Sequence, residues 1–189
     1  MKKYVLSLVM LVFSFIGFNQ VIDMNNVDYD KLKQKIFLKI NEYRRNFGVD
    51  TVVFSNTIES QISIPNINKM IRDHKLYHPG YSISDQTFIN NLSNEYVKLS
   101  NGKCYVDSPS VKFIGNNGEI ICSVSKTNMT YDEFAELSLQ GWLNSSGHRS
   151  TIEKTFASFN GYSGLSSCRV VKVGDEFWVV FNFMQLLYM

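Results

Sequence analysis

The strongest constraint on the fold lies in the last quarter of the chain. Tyr162 to Val173 and Glu176 to Met184 are two runs rich in β-branched and aromatic residues, separated only by Gly174-Asp175. A two-residue Gly-X link between such runs predicts a tight β-hairpin. In its second strand Phe177, Val179, Phe181 and Phe183 alternate with Trp178 and Val180. Both faces are therefore apolar, and a strand of that kind must sit inside a sheet covered by helices on both sides. Helical patterns come early, strands come late, and one helix separates the strands. That order predicts an α+β layered domain.

The covering helices can be read from spacing. Tyr29, Leu32, Ile36, Ile40, Tyr43 and Phe47 recur at helical intervals, and Gly48 is a stop in the left-handed conformation. A short strand, Thr51 to Phe54, leads to Asn56 as the expected cap of a second helix, with Glu59 three residues on. Ile58 and Ile62 start its buried stripe, Pro65 should kink or split it, and Ile67, Met70, Ile71 and His74 resume it. The helix is expected to end before His78-Pro79-Gly80. Phe88, Leu92, Tyr96 and Leu99 predict another amphipathic helix on the outside of the core. Strands are expected over residues 103–106, 111–114 and 119–124, the last led in by Asn116-Asn117-Gly118.

Residues 141–151, GWLNSSGHRST, carry an indole, an amide, hydroxyls, an imidazole and a guanidinium within one short stretch. They follow a capping-box signature, in which Thr130 accepts from the amide of Glu133 and Glu133 reaches back to the amide of Thr130. Tyr131, Phe134, Ala135, Ser138 and Trp142 then form one stripe, with Trp142 as a core anchor. Ser145 or Ser146 can cap a second short helix through Ile152, which places His148 in its first turn. Arg149 is expected to form a salt bridge or hold a helix C-terminus.

Composition narrows the class. Met1-Lys2-Lys3 and the uncharged apolar run to about Phe18 read as a signal peptide over residues 1–20, leaving one domain over 21–189. No later run is apolar for long enough to span a membrane, so no transmembrane segment is expected after the leader is removed. Loss of Lys2 and Lys3 takes the net charge from +2 to about zero, which argues against a nucleic-acid partner. The location read from this is secreted, extracellular or periplasmic. Cys104, Cys122 and Cys168 allow one disulfide and one free thiol, with Cys122–Cys168 the preferred pair; three buried free thiols are the alternative.

Two imidazoles and a carboxylate stand out. His78 lies at a helix exit ahead of a Pro-Gly break, and His148 lies beside a buried helix end. Glu119 opens an apolar strand, GEIICSV, either as a solvated strand end or as a group aimed into a site. His74, one turn before His78, reads as a partly buried surface residue.

In order, these segments resemble the CAP superfamily, the cysteine-rich secretory proteins, antigen 5 and pathogenesis-related 1 proteins that share the SCP domain, in its bacterial secreted branch. Asn41-Glu42-Tyr43-Arg44 resembles the first-helix signature, and His78 stands where the second helix ends in a histidine. Gly118-Glu119-Ile120-Ile121 resembles the Gly-Glu-Asn-Ile strand start, and Trp142 to Arg149 resembles the Trp-x-x-Ser-x-Gly-His-Arg box. Phe177-Trp178-Val179-Val180-Phe181 is similar to the last strand. The resemblance implies a three-layer α-β-α sandwich with a central, mainly antiparallel sheet. Its cleft would be lined by His78, Glu119 and His148, with Asn144 and Ser145 at the rim. A second glutamate of the eukaryotic pattern has no equivalent, and neither Asn144 nor Glu136 is given that role.

Such a trio has three uses. His78 and His148 can bind zinc or another divalent metal, with solvent at the open positions. Glu119 can orient an imidazole for acid–base work. All three can instead satisfy one another as a structural network. The resemblance ranks the metal-capable, non-catalytic cleft first, in a secreted monomer that binds a lipid, glycan or protein partner. The alternative is a metal-dependent, peptidase-like hydrolase using His78, Glu119 and His148. No G-x-S-x-G elbow is present, and a serine ahead of a helix is more often a cap than a nucleophile.

Overall fold

The structure is a computed structural model, and it describes residues 20–80, 86–99, 118–155 and 162–184. The expected leader falls almost wholly outside them, as do Cys104, the strands expected over 103–106 and 111–114, and the turn at Asn116-Asn117. Residues 20–22 join the domain: Val21 bridges Thr130, and Ile22 is buried and donates its N–H to Met129 O at 2.9 Å.

Helix α1, Tyr29–Phe47, is capped by Asp28, whose side chain accepts from Lys31 N, and stops at Gly48. Strand β1, Thr51–Phe54, follows. The next helical rod has three parts: α2, Asn56–Ile58; a π-turn, Glu59–Ser63; and α3, Ile64–Arg72. Ser55, and not Asn56, is its cap, accepting from Ile58 N at 3.1 Å. Glu59 is consequently free of capping duty and pairs with Lys33 at 2.9 Å. The rod is split at Pro65 as expected: the proline stands in the first turn of α3, directly after the wide π-turn, which makes room for its ring and missing N–H. The rod ends at Arg72, earlier than expected, and His74 lies beyond it, exposed and at positive φ. Helix α4, Gln86–Leu99, ties back to the cap through Glu95, which accepts from Ser55 Oγ at 2.6 Å and Asn56 N at 2.8 Å.

Strand β2 is Gly118–Val124; α5, Tyr131–Leu143, starts in the expected capping box; α6, Ser146–Ile152, is capped by Ser145. Strands β3, Tyr162–Val173, and β4, Glu176–Met184, form the predicted hairpin, with Gly174 supplying the positive φ that the turn needs.

The sheet order is β1-β3-β4-β2. The β3–β4 and β4–β2 pairs are antiparallel and β1–β3 is parallel, so the sheet is mixed where a mainly antiparallel one was expected. Its two faces are both covered. Phe177, Val179, Phe181 and Phe183 pack against Leu32, Ile36 and Ile40 of α1 and Phe134, Leu139 and Trp142 of α5. Trp178 and Val180 pack against Ile67 and Met70 of α3, while Met184 and Leu165 meet Ile58, Ile62, Phe88 and Leu92. The result is an α-β-α arrangement around the central β3–β4 hairpin.

Two residues of α1 fix its surroundings. Asn41 donates to Val52 O at 3.0 Å and accepts from Val52 N at 2.8 Å, closing the backbone of edge strand β1. The fully buried Arg44 donates to Asp50 O, Ile152 O and Lys154 O, tying the C-terminal end of α6 to the core. Burial, only partly offset by Asp50, brings its guanidinium down to about 10.

The preferred Cys122–Cys168 disulfide is not formed; both are free thiols. Cys122 lies opposite Val179 and Cys168 opposite Phe181, so the two share a face but flank β4. Two strand spacings across and two residues along β4 put them roughly 11–12 Å apart, beyond the reach of a disulfide. Their packed surroundings push the Cys122 thiol up to about 12 and the Cys168 thiol up as well.

Candidate functional site

Three independent pieces of chain deliver the site. His78 follows the end of α3, Glu119 is the second residue of β2, and His148 lies in the first turn of α6. The α5–α6 corner holds His148 in place. Ser145 Oγ accepts from the backbone N–H of His148 at 3.5 Å, and Arg149 Nε donates to Leu143 O at 2.7 Å, so Arg149 serves the C-terminus of α5 as expected. Gly118 lets β2 approach α6 closely, since a Cβ at this position would meet Thr151 Cγ2 at 2.3 Å.

All three expected side chains converge. His78 Nδ1 lies 3.1 Å from Glu119 Oε1, and His78 Nε2 lies 3.5 Å from His148 Nε2. Glu119 therefore addresses the nitrogen of His78 that faces away from His148. The histidines are accessible, with the His78 side chain 49% exposed, whereas that of Glu119 is only 7% exposed. Burial, and secondarily the neighbouring His78, lowers the pKa of His148, which keeps its ring neutral near pH 7.

A fourth member was not read from the sequence. Asn66, on α3 and 5% exposed, donates Nδ2 to Glu119 Oε2 at 2.5 Å. The available signal was a polar residue between Ile62 and Met70 on an apolar stripe. The π-turn obscures it, because it lengthens the step from Ile62 to Ile67 to five residues and changes which positions face the sheet.

Behind Glu119 the polar row continues inward. Its register partner on β4 is Asn182, which donates to Ser63 Oγ at 2.8 Å; Ser63 in turn shares a 2.6 Å hydrogen bond with Ser167. Asn144 and Ser145 are held at the α5–α6 corner as C-cap and N-cap respectively. Glu136 lies elsewhere, paired with Lys39 at 3.1 Å.

Two nitrogens bound to one tetrahedral metal at 2.0–2.1 Å sit about 3.3–3.4 Å apart. The two Nε2 atoms, at 3.5 Å, have that separation without rearrangement. Glu119 stands where an outer carboxylate orients a ligating imidazole, on its other nitrogen. Among the described residues no group of three or more His, Cys, Asp or Glu side chains is arranged to hold a metal ion. The arrangement offers two protein ligands with the remaining positions left to solvent.

Comparison with known proteins bears on the fold. No protein-family profile and no characterised protein sequence matches the chain. Among solved structures it is similar to an outer surface protein from Borrelia burgdorferi, with a TM-score of 0.53 and 15% identity over 89% of this chain and 98% of that one. It also aligns with an extracellular protein containing an SCP domain from Bacillus anthracis, with a TM-score of 0.46 and 19% identity over 83% of this chain and 41% of that one. The class defined is thus an α-β-α protein with the fold of a spirochaetal outer surface protein. No helix among the described residues is long and apolar enough to cross a membrane.

Proposed function

We propose that this is an exported CAP-type protein, extracellular or surface-located, that works as a monomeric binding module. Its cleft uses His78 and His148 to hold zinc or a similar divalent cation, and a lipid, glycan or protein partner is engaged there or on the surrounding surface. One observation carries the reading: the two Nε2 atoms lie 3.5 Å apart, with Glu119 on the far nitrogen of His78. The location rests on the fold shared with an outer surface protein and on the leader-like N-terminus.

The same geometry ranks binding above hydrolysis. A general base must be within reach of the water it activates. Both oxygens of Glu119 are engaged, Oε1 by His78 and Oε2 by Asn66, and the side chain is withdrawn from solvent. Ser145 is occupied as a helix cap.

Zinc titration by calorimetry, beside the His78→Ala/His148→Ala double variant, tests the metal site. Binding that disappears in the variant supports it. A well-folded chain that binds no zinc refutes it and leaves the trio as a structural network.

A further inference from the structure

We propose that Asn66 is a positioning residue for this site: by holding Oε2 of Glu119 it keeps Oε1 aimed at His78, which fixes His78 in its Nδ1–H tautomer and turns the Nε2 lone pair toward His148. The inference deepens the reading of His78, Glu119 and His148 as the working site and rests on it. Its chemistry follows from donor and acceptor inventory. An amide nitrogen donates and cannot accept, so in the 2.5 Å contact from Asn66 Nδ2 the acceptor is Oε2 of Glu119. The opposite orientation of the carboxamide would set two acceptors against each other. Oε1 faces His78 Nδ1 at 3.1 Å, and a carboxylate oxygen there is an acceptor that selects the ring form with its proton on Nδ1. Nδ1–H then donates to Oε1, and Nε2 is left with its lone pair, 3.5 Å from its counterpart on His148.

The withdrawal of Glu119 from water makes this dependence strong. A carboxylate 7% exposed needs hydrogen bonds in place of hydration, and the structure gives it two side-chain partners. Without Asn66 only His78 would hold the carboxyl group. The carboxylate could then rotate, and the ring would lose the bond that selects its tautomer. Pro65 and the π-turn make the arrangement possible, since they bring Asn66 to the sheet face one position before the buried Ile67.

The test is made on the whole chain, with histidines labelled with ¹⁵N and the tautomer of His78 read by long-range ¹H–¹⁵N correlation at pH 7.5 in EDTA. The unaltered chain should show His78 as Nδ1–H, the minor form of free imidazole. Asn66→Leu, similar in shape but without a donor, should move His78 toward Nε2–H while the rest of the amide spectrum is retained. Persistence of the Nδ1–H form in that variant would overturn the proposal. Should Asn66→Leu not fold, the unaltered chain decides. One Nδ2 proton of Asn66 must be shifted downfield and protected from exchange, and an ordinary solvent-exchanging carboxamide refutes the contact. Zinc affinity gives a second arm: Asn66→Leu should weaken it about 10- to 100-fold, the usual effect of losing an outer-shell partner, and unchanged affinity counts against the proposal. A chain that binds no zinc yet shows the tautomer change would refute the metal reading and leave the role of Asn66 standing.

Discussion

Gly118→Ala is the sharpest structural perturbation of the site, because it acts through packing and touches neither histidine. The new methyl would sit 2.3 Å from Thr151 Cγ2, roughly 1.1 Å short of an ordinary 3.4 Å contact. Thr151 can yield only by giving up its Oγ1 bond to Gly147 O at 3.0 Å, or by carrying α6 with it. Overpacking of this kind costs about 1–3 kcal/mol. If α6 moves by about 1 Å, the two Nε2 atoms separate from 3.5 Å to about 4.5 Å. That exceeds the roughly 4.2 Å spanned by two opposed zinc–nitrogen bonds, so one ion can no longer bind both rings. Denaturant melts and zinc calorimetry should therefore show a loss of about 1–3 kcal/mol in stability and a fall in affinity of at least about tenfold. Gly118→Ala/Thr151→Ser lacks the offending methyl, leaving Thr151 Cβ and Oγ1 positions at 3.5 and 3.6 Å, and should recover both. A single variant with unchanged stability and affinity, or a double variant without recovery, would refute the idea that this contact sets the spacing of the histidines.

Two further expectations concern the scaffold. Arg44→Met should destabilise the chain by about 3 kcal/mol or more in urea, because it strips donors from the carbonyls of Asp50, Ile152 and Lys154, each a loss of about 1–3 kcal/mol where buried. An unchanged midpoint would show that water replaces the guanidinium. The backbone N–H of Thr130 holds Glu133 below its ordinary pKa. A carboxylate with a depressed folded-state pKa stabilises above its unfolded value, near 4.5, and loses that stabilisation as pH falls through the folded value. The difference in Tm between the parent chain and Glu133→Gln should therefore shrink between about pH 5 and pH 3. A difference constant with pH would rule out the charge as its source.

What the sequence reveals divides by range. The limits of α1 and of the closing hairpin were legible because they depend on local spacing, a glycine stop and a two-residue turn. The capping box of α5 and the serine cap ahead of His148 were legible for the same reason. Strand order was not: the parallel β1–β3 contact pairs Thr51 with Tyr162, and no short-range periodicity encodes it. The cysteines illustrate the gap, since the strand runs that hold them were readable but the strand between them was not. In the site, residue types suggested His78, Glu119 and His148. Only coordinates reveal that Glu119 meets the outward nitrogen of His78, and that a five-residue helical step brings Asn66 to it.

The placement of the hairpin after β1 and β2 in chain order has a kinetic consequence. Strands β1 and β2 lie on opposite sides of it and do not pair with each other, so β1 has no partner until β3 exists and β2 none until β4 exists. A chain emerging from its N-terminus, from a ribosome or through a membrane pore, must release β3 before β1 can pair and β4 before β2 can join. Such non-local pairing slows folding. It also keeps the nascent polypeptide threadable, and makes loss of β4 cut β2 off from β1 and β3.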